Sequence, residues 1–179
     1  VLAAAFEDDP VWRWLVPSPR RWAKRAAAMF TADVGNRIRQ GSTFTTAGLA
    51  GAAEWAPPGR WRPTTADMLR ETPAALALLG TGSLRGMKFL TRMEKAHPRE
   101  EHWYLAVLGT HPDQQGKGIG SALMRPVLDR CDEQGIPAYL ESSKQANIAF
   151  YARHGFVLRD PIETDGGPTL YPMWREPRS

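Results

Sequence analysis

The chain has 179 residues, enough for one domain with a full hydrophobic core, and its 42% apolar and 23% charged content is that of an ordinary soluble protein. No stretch reaches the roughly 18 consecutive apolar residues of a membrane helix. A single cysteine, Cys131, excludes an intrachain disulfide framework and a cysteine-built zinc site, so a cytoplasmic protein is expected.

The formal net charge is +4 and the pI about 9.5, which suits acidic ligands such as a nucleotide. The basic residues are scattered. Their densest cluster, Arg20-Arg21-Trp22-Ala23-Lys24-Arg25, falls on a predicted helix and reads as a solvated face, so neither nucleic acid nor membrane is an expected partner. The sequence opens on Val1, and the apolar run Val1–Phe6 is short for a signal peptide, with no basic region ahead of it.

In chain order, residues 1–9 read as a helix stopped by Pro10. Over residues 20–40, apolar positions Trp22, Ala26, Met29, Phe30, Val34 and Ile38 recur with helical spacing up to Gly41. Ser42–Ala47 and Leu49–Trp55 read as two strands of a hairpin turning at Gly48, closed by Pro57-Pro58-Gly59. Residues 64–95 read as two or three short helices, broken at Pro73 and across Gly80–Gly86.

The second half is sharper. Trp103–Thr110 is a predicted strand and His111–Gly118 a loop. Ile119, Leu123, Val127 and Cys131 then form a core-facing helical stripe ending at Gly135, with Pro126 expected to kink the helix. Tyr139–Ser143 reads as a strand, Gln145–His154 as a helix ended by Gly155, and Phe156–Arg159 and Thr169–Trp174 as the last strands. Strand, glycine loop, helix, strand, helix implies an α/β core with a parallel step.

The loop Gln115-Gly116-Lys117-Gly118-Ile119-Gly120-Ser121 carries the strongest chemical signal. Glycines expose backbone N–H groups, and a following helix N-terminus adds partial positive charge, so the pair suits a pyrophosphate. Ile119-Gly120 after Gly118 departs from the Walker Lys-Ser/Thr, and the Gly118–Gly120 spacing departs from the Rossmann fingerprint. A plain tight strand-to-helix turn is the alternative for the loop taken alone.

Gln115-x-x-Gly118-x-Gly120, followed by Leu140-Glu141-Ser142-Ser143, Asn147 and Phe150-Tyr151-Ala152-Arg153-His154-Gly155-Phe156, resembles the GNAT acetyltransferase family. Within it, His111–Gly120, Pro126 and Pro137–Ser143 are similar to the puromycin N-acetyltransferases. The likeness covers residues 103–174 well and the first half in outline.

It implies a single α/β (α+β) domain over 1–179 with a mixed, mostly antiparallel sheet. A central parallel pair is splayed to hold CoA, and helices cover both faces. It implies acetyl-CoA as acyl donor, no metal, and a monomer or homodimer. Pantetheine would lie along Leu108-Gly109-Thr110, the pyrophosphate on Gln115, Gly116, Lys117, Gly118, Ile119, Gly120 and Ser121, and Asn147 beside the cofactor. Leu108 N–H is the implied oxyanion donor.

Tyr151 is the implied general acid, against a role as a core aromatic beside Phe150 and Phe156. Glu141 is the first candidate base, with Glu54 the runner-up. The family's usual first strand is absent ahead of the first helix, which truncation of the sequence would explain. Residues 57–101 form a long helical insert, expected to cover the acceptor site, with Trp12, Trp14, Trp55 and Trp61 either lining it or packed in the core.

The expected reaction is acetyl transfer to a primary amine of a small molecule. The alternatives are a protein or peptide N-acetyltransferase and a non-catalytic acyl-CoA-binding domain. His97, His102, His111 and His154 lack metal-ligand spacing and read as surface or loop residues, and Cys131 as a small hydrophobe.

Overall fold

The computed structural model describes residues 1–16, 18–38 and 42–178. Six strands form one sheet: β1 Thr43–Thr45, β2 Gly51–Ala56, β3 Trp103–Thr110, β4 Ala138–Ser142, β5 Val157–Leu158 and β6 Tyr171–Arg175, in the order β1-β2-β3-β4-β6-β5. Every neighbouring pair is antiparallel except β3–β4. This is the mixed α+β sheet with a central parallel pair.

Helices cover both faces. On one lie α6 (Ile119–Gln134) and α7 (Ile148–Ala152), on the other α1 (Leu2–Ala5), α2 (Pro10–Leu15), α3 (Pro19–Ile38), α4 (Thr65–Leu79) and α5 (Ser83–Ala96). The α6 stripe of Leu123, Val127 and Cys131 is buried against Ala53, Trp55, Leu105, Leu140 and Met173 of the sheet. Burial of each large apolar side chain there is worth about 1.5–3 kcal/mol. α6 runs on through Pro126, and Gly135 ends it in the left-handed region at φ 67°.

Two prolines behave differently from the sequence expectation. Pro10 does not stop a helix; it starts one. The Asp9 carboxylate accepts from the N–H groups of Val11 and Trp12, and Pro10 occupies the first turn, where its missing N–H costs nothing. Pro73 does not break the insert either. α4 continues through it, opened by a Thr64/Asp67 capping box and tied to α3 by Arg21 Nη1 donating to the Ala77 carbonyl at 2.9 Å. The insert is therefore two helices joined by one 3₁₀ turn, Gly80–Gly82, with Gly86 inside α5.

α3 buries Trp22, Ala26 and Phe30 but leaves Ile38 exposed, and its basic residues Arg20, Arg21, Lys24 and Arg25 face solvent. Gly41, the expected end of that helix, lies outside the described residues. The predicted helix over Gln145–His154 is a 3₁₀ turn, Gln145–Asn147, leading into the short α7. No helix among the described residues is long and apolar enough to cross a membrane.

Candidate active site

The parallel strands β3 and β4 stay paired only at Trp103–Ala138, Tyr104–Tyr139 and Leu105–Leu140. Beyond that point β3 pairs only with β2, and β4 only with β6. The break coincides with an irregularity in β3: Trp55 pairs with Leu105 and Glu54 with Val107, which leaves Ala106 as an extra residue. A bulge of this kind bends the strand and increases its twist. The V-shaped opening is thus built by one extra residue.

Alternation along β3 then fixes what faces the opening. The His111 N–H bonds the Ala50 carbonyl at 2.8 Å, and the register sets Ala52 opposite Gly109. In an antiparallel ladder every second residue bonds a given neighbour. The polar backbone groups of Val107 and Gly109 therefore face β2, while those of Leu108 face the open β4 side.

Gly109 is held small by α1. A Cβ there would stand 2.8 Å from Leu2 Cδ2, 3.0 Å from Ala5 and 3.2 Å from Phe6.

The loop after β3 completes the opening. A 3₁₀ turn, Pro112–Gln114, is followed by Gly116 and Gly118 at φ +77° and +78°, a conformation L side chains rarely adopt. The backbone N–H groups from Gly116 to Ser121 make no hydrogen bond among the described residues, and α6 begins there without a side-chain cap. Lys117 Nζ folds back to Gln114 Oε1 at 2.9 Å, and Gln115 Nε2 to the Thr110 carbonyl at 3.4 Å. Unpartnered N–H groups at a helix N-terminus are an anion site.

A cleft of about 560 Å³ joins these parts, lined by Leu105–Thr110, Gln114–Gly116, Gly118–Ser121, Leu140–Lys144, Asn147 and Tyr151. It brings Leu108, Gly109, Thr110, the glycine loop, Asn147, Glu141 and Tyr151 to one place. The open splay, the bare N–H groups and the cleft all fit a long ligand with a diphosphate at one end.

Tyr151 is 8% exposed, and its ring packs on Phe150 and Phe156 at 5.1 and 6.1 Å. Burial, and then the Asp9 carboxylate, push its phenol above the ordinary value, so it is a neutral proton donor at pH 7. Its hydroxyl has no hydrogen-bond partner among the described residues.

Asp9 also lines the cleft and accepts a hydrogen bond from the Ser143 hydroxyl, and Asp8 pairs with Lys144 at 2.6 Å. These contacts fasten the α1–α2 turn to the end of β4. The sequence signal for Asp9 was present in Asp-Pro, an N-cap followed by proline, but nothing local gives its reach to Ser143.

The two candidate bases differ. Glu141 lines the cleft, and its Oε1 is buried without a hydrogen bond. Glu54 is fully buried outside the cleft, 3.0 Å from Arg37 Nε. Burial first, then Asp33, push its carboxyl up to about 8, against the opposing pull of Arg37.

His97 and His102, expected as surface or loop residues, lie in the loop before β3 but are buried there, at 8% and 3% exposed. They sit among Trp61, Tyr104, Tyr139 and Trp174, an aromatic cluster assembled from separate elements. Trp55 is core on the α6 face, and burial pushes the Cys131 thiol up to about 12, which suits a packed hydrophobe.

The sequence model of the Acetyltransferase (GNAT) family matches residues 45–156. The chain belongs to the GNAT acetyltransferase family. It is 33% identical over 172 residues to an uncharacterised N-acetyltransferase of Schizosaccharomyces pombe, covering 90% of this chain and 70% of that protein. It is 38% identical to the mycothiol acetyltransferase of Streptomyces coelicolor over 69 residues, 37% of this chain and only 22% of that one. The fold matches a crystal structure from Corynebacterium glutamicum described as histone acetyltransferase HPA2 and related acetyltransferase, with a TM-score of 0.65 at 24% identity, covering 100% of this chain and 88% of the other. The protein is an N-acetyltransferase, and GNAT acetyltransferases use acetyl-CoA.

Proposed function

We propose that the protein transfers the acetyl group of acetyl-CoA directly to a primary amine of a small molecule. Pantetheine lies in the splay along Leu108–Thr110, the diphosphate on the N–H groups from Gln115 to Ser121, and Asn147 beside it. The amine attacks the thioester carbonyl, whose oxygen takes the Leu108 N–H. The C–N bond forms, the C–S bond breaks, and Tyr151 gives its proton to the leaving sulfur. Glu141 takes the proton that the amine loses.

The observation that carries this reading is the neutral, unpartnered phenol of Tyr151 in the same cleft as the bare Gly116–Ser121 N–H groups. Glu141 is preferred to Glu54 because it lines that cleft.

A small acceptor is favoured by the 57–101 insert. Trp61 stacks on His97 at 3.7 Å, and His97 stands against Glu141, so the insert packs beside the proposed base. The motif likeness to the puromycin N-acetyltransferases points the same way.

The test is thiol release from acetyl-CoA with a panel of small amines and a panel of peptides bearing free N-termini or lysines. Fast release with small amines alone supports the proposal. Release with peptides alone moves the acceptor to protein. No release with any amine, alongside tight CoA binding, makes the chain a binding domain.

A further inference from the structure

Two buried histidines stand behind the proposed base. His97 Nδ1 lies 3.6 Å from Glu141 Oε1. His97 Nε2 lies 3.0 Å from His102 Nε2, and His102 Nδ1 lies 2.6 Å from the Glu100 carbonyl oxygen. Donor accounting fixes the protons. A carbonyl only accepts, so His102 Nδ1 carries a hydrogen. Neutral His102 then has a bare Nε2, which must accept from His97. His97 is thereby held with its proton on Nε2 and a lone pair on Nδ1, aimed at Glu141. Burial holds His102 below its ordinary value, which keeps it neutral.

Both histidines are buried, at 8% and 3% exposed, with a second cleft on their far side. Both line that cleft, of about 760 Å³, beside Trp61, Lys95, Arg99 and Glu101. Glu141 lines the first cleft and His97 the second, and the two residues face each other.

We infer that His97, held in one tautomer by His102, takes the acceptor's proton from Glu141 and returns it through Glu141 to the first cleft once product has left; the inference rests on Glu141 being the base. The amine N–H bond breaks and a Glu141 O–H forms. That O–H breaks as His97 Nδ1 gains the proton, which regenerates the carboxylate. When product leaves, the imidazolium gives the same Nδ1 proton back to Glu141, which passes it to water in the first cleft, so His97 returns to its starting tautomer. The 3.6 Å gap is just beyond hydrogen-bond distance and closes when the proton bridges it.

Other groups facing this pair are the phenols of Tyr104 from β3 and Tyr139 from β4. Burial and then Glu141 raise both above their ordinary value, so both stay neutral. Arg37 acts on Tyr104, and Arg159 on Tyr139, from farther out.

Long-range ¹H–¹⁵N spectra of the uniformly labelled protein test the proton placement without any acceptor. His102 should read as the Nδ1–H tautomer and His97 as protonated on Nε2. A His102 protonated on Nε2 overturns the inference.

The kinetic arm uses acetyl-CoA with the amine that gives the fastest thiol release. Glu141→Gln should lose about 10²–10⁴-fold in kcat/KM. His97→Gln should lose about tenfold or more in kcat/KM. Added imidazole should restore part of the rate of His97→Ala. Glu141→Gln at the wild-type rate removes the base reading itself. A slow Glu141→Gln beside a His97→Gln at the wild-type rate, with no imidazole rescue of His97→Ala, leaves the base standing and removes the proton-holding role of His97.

Discussion

Glu54 Oε2 lies 3.0 Å from Arg37 Nε in a site where the glutamate side chain is completely buried and the arginine 20% exposed. Asp33 shares the same arginine at 3.2 Å. Two carboxylates and one guanidinium leave one negative charge uncompensated, and the fully buried carboxyl is the one pushed up to about 8.

The consequence is a stability that falls with pH. The folded protein keeps the Glu54 proton between the ordinary carboxylate value near 4.5 and about 8, while the unfolded chain loses it. Folding stability therefore declines across that window, by at most about 1.4 kcal/mol per pH unit. Urea midpoints of wild type and Glu54→Gln measured from pH 5 to 8 should diverge, with the wild-type curve falling more steeply. Parallel curves would show that Glu54 is ionised throughout.

Asp132 accepts two hydrogen bonds from Arg175, at 2.8 and 2.7 Å, joining α6 to β6. The Arg175 side chain is 3% exposed and that of Asp132 is 27%. Asp132→Ala leaves the arginine buried and unpaired. Removing one member of a buried pair costs about 3–5 kcal/mol, and the partial exposure of Asp132 sets the expectation at the low end. Chemical denaturation checks it, with CoA affinity of the folded variant unchanged.

Gly118→Asp puts a carboxylate in front of the N–H groups expected to take a diphosphate, at a φ of +78°. CoA binding by titration calorimetry should weaken about tenfold or more, from like charge and loss of the helix N-terminal site. Gly118→Ala shares the backbone strain without the charge and should weaken binding less. Equal affinities in wild type and a folded Gly118→Asp would move the diphosphate elsewhere.

The second half of the fold was legible because its signals are local. The glycine loop, the Leu123–Val127–Cys131 stripe and the Tyr151 motif each lie within one or two elements; the structure brings the loop and Tyr151 to one cleft and packs the stripe in the core. The first half was less so. Pro10 and Pro73 read locally as breakers, but the Asp9 cap and the packing of α4 on α3 decide otherwise. Burial of His97 and His102 depends on Trp61, Tyr139 and Trp174, residues up to 77 positions from His97, so no periodicity could announce it. Nor could spacing separate Glu141 from Glu54; only the splay of β3 from β4 puts one in the cleft and leaves the other behind a strand.

Tyr151 tests the account most directly. Tyr151→Phe keeps the ring that packs on Phe150 and Phe156 and removes only the proton donor. The decisive measurement is a single-turnover rate of acetyl transfer in wild type and Tyr151→Phe, with CoA affinity and thermal midpoint taken on the same samples. The account predicts a chemical step slower by about 10²–10⁴-fold, with affinity and midpoint nearly unchanged. A chemical step as fast as that of wild type would contradict it.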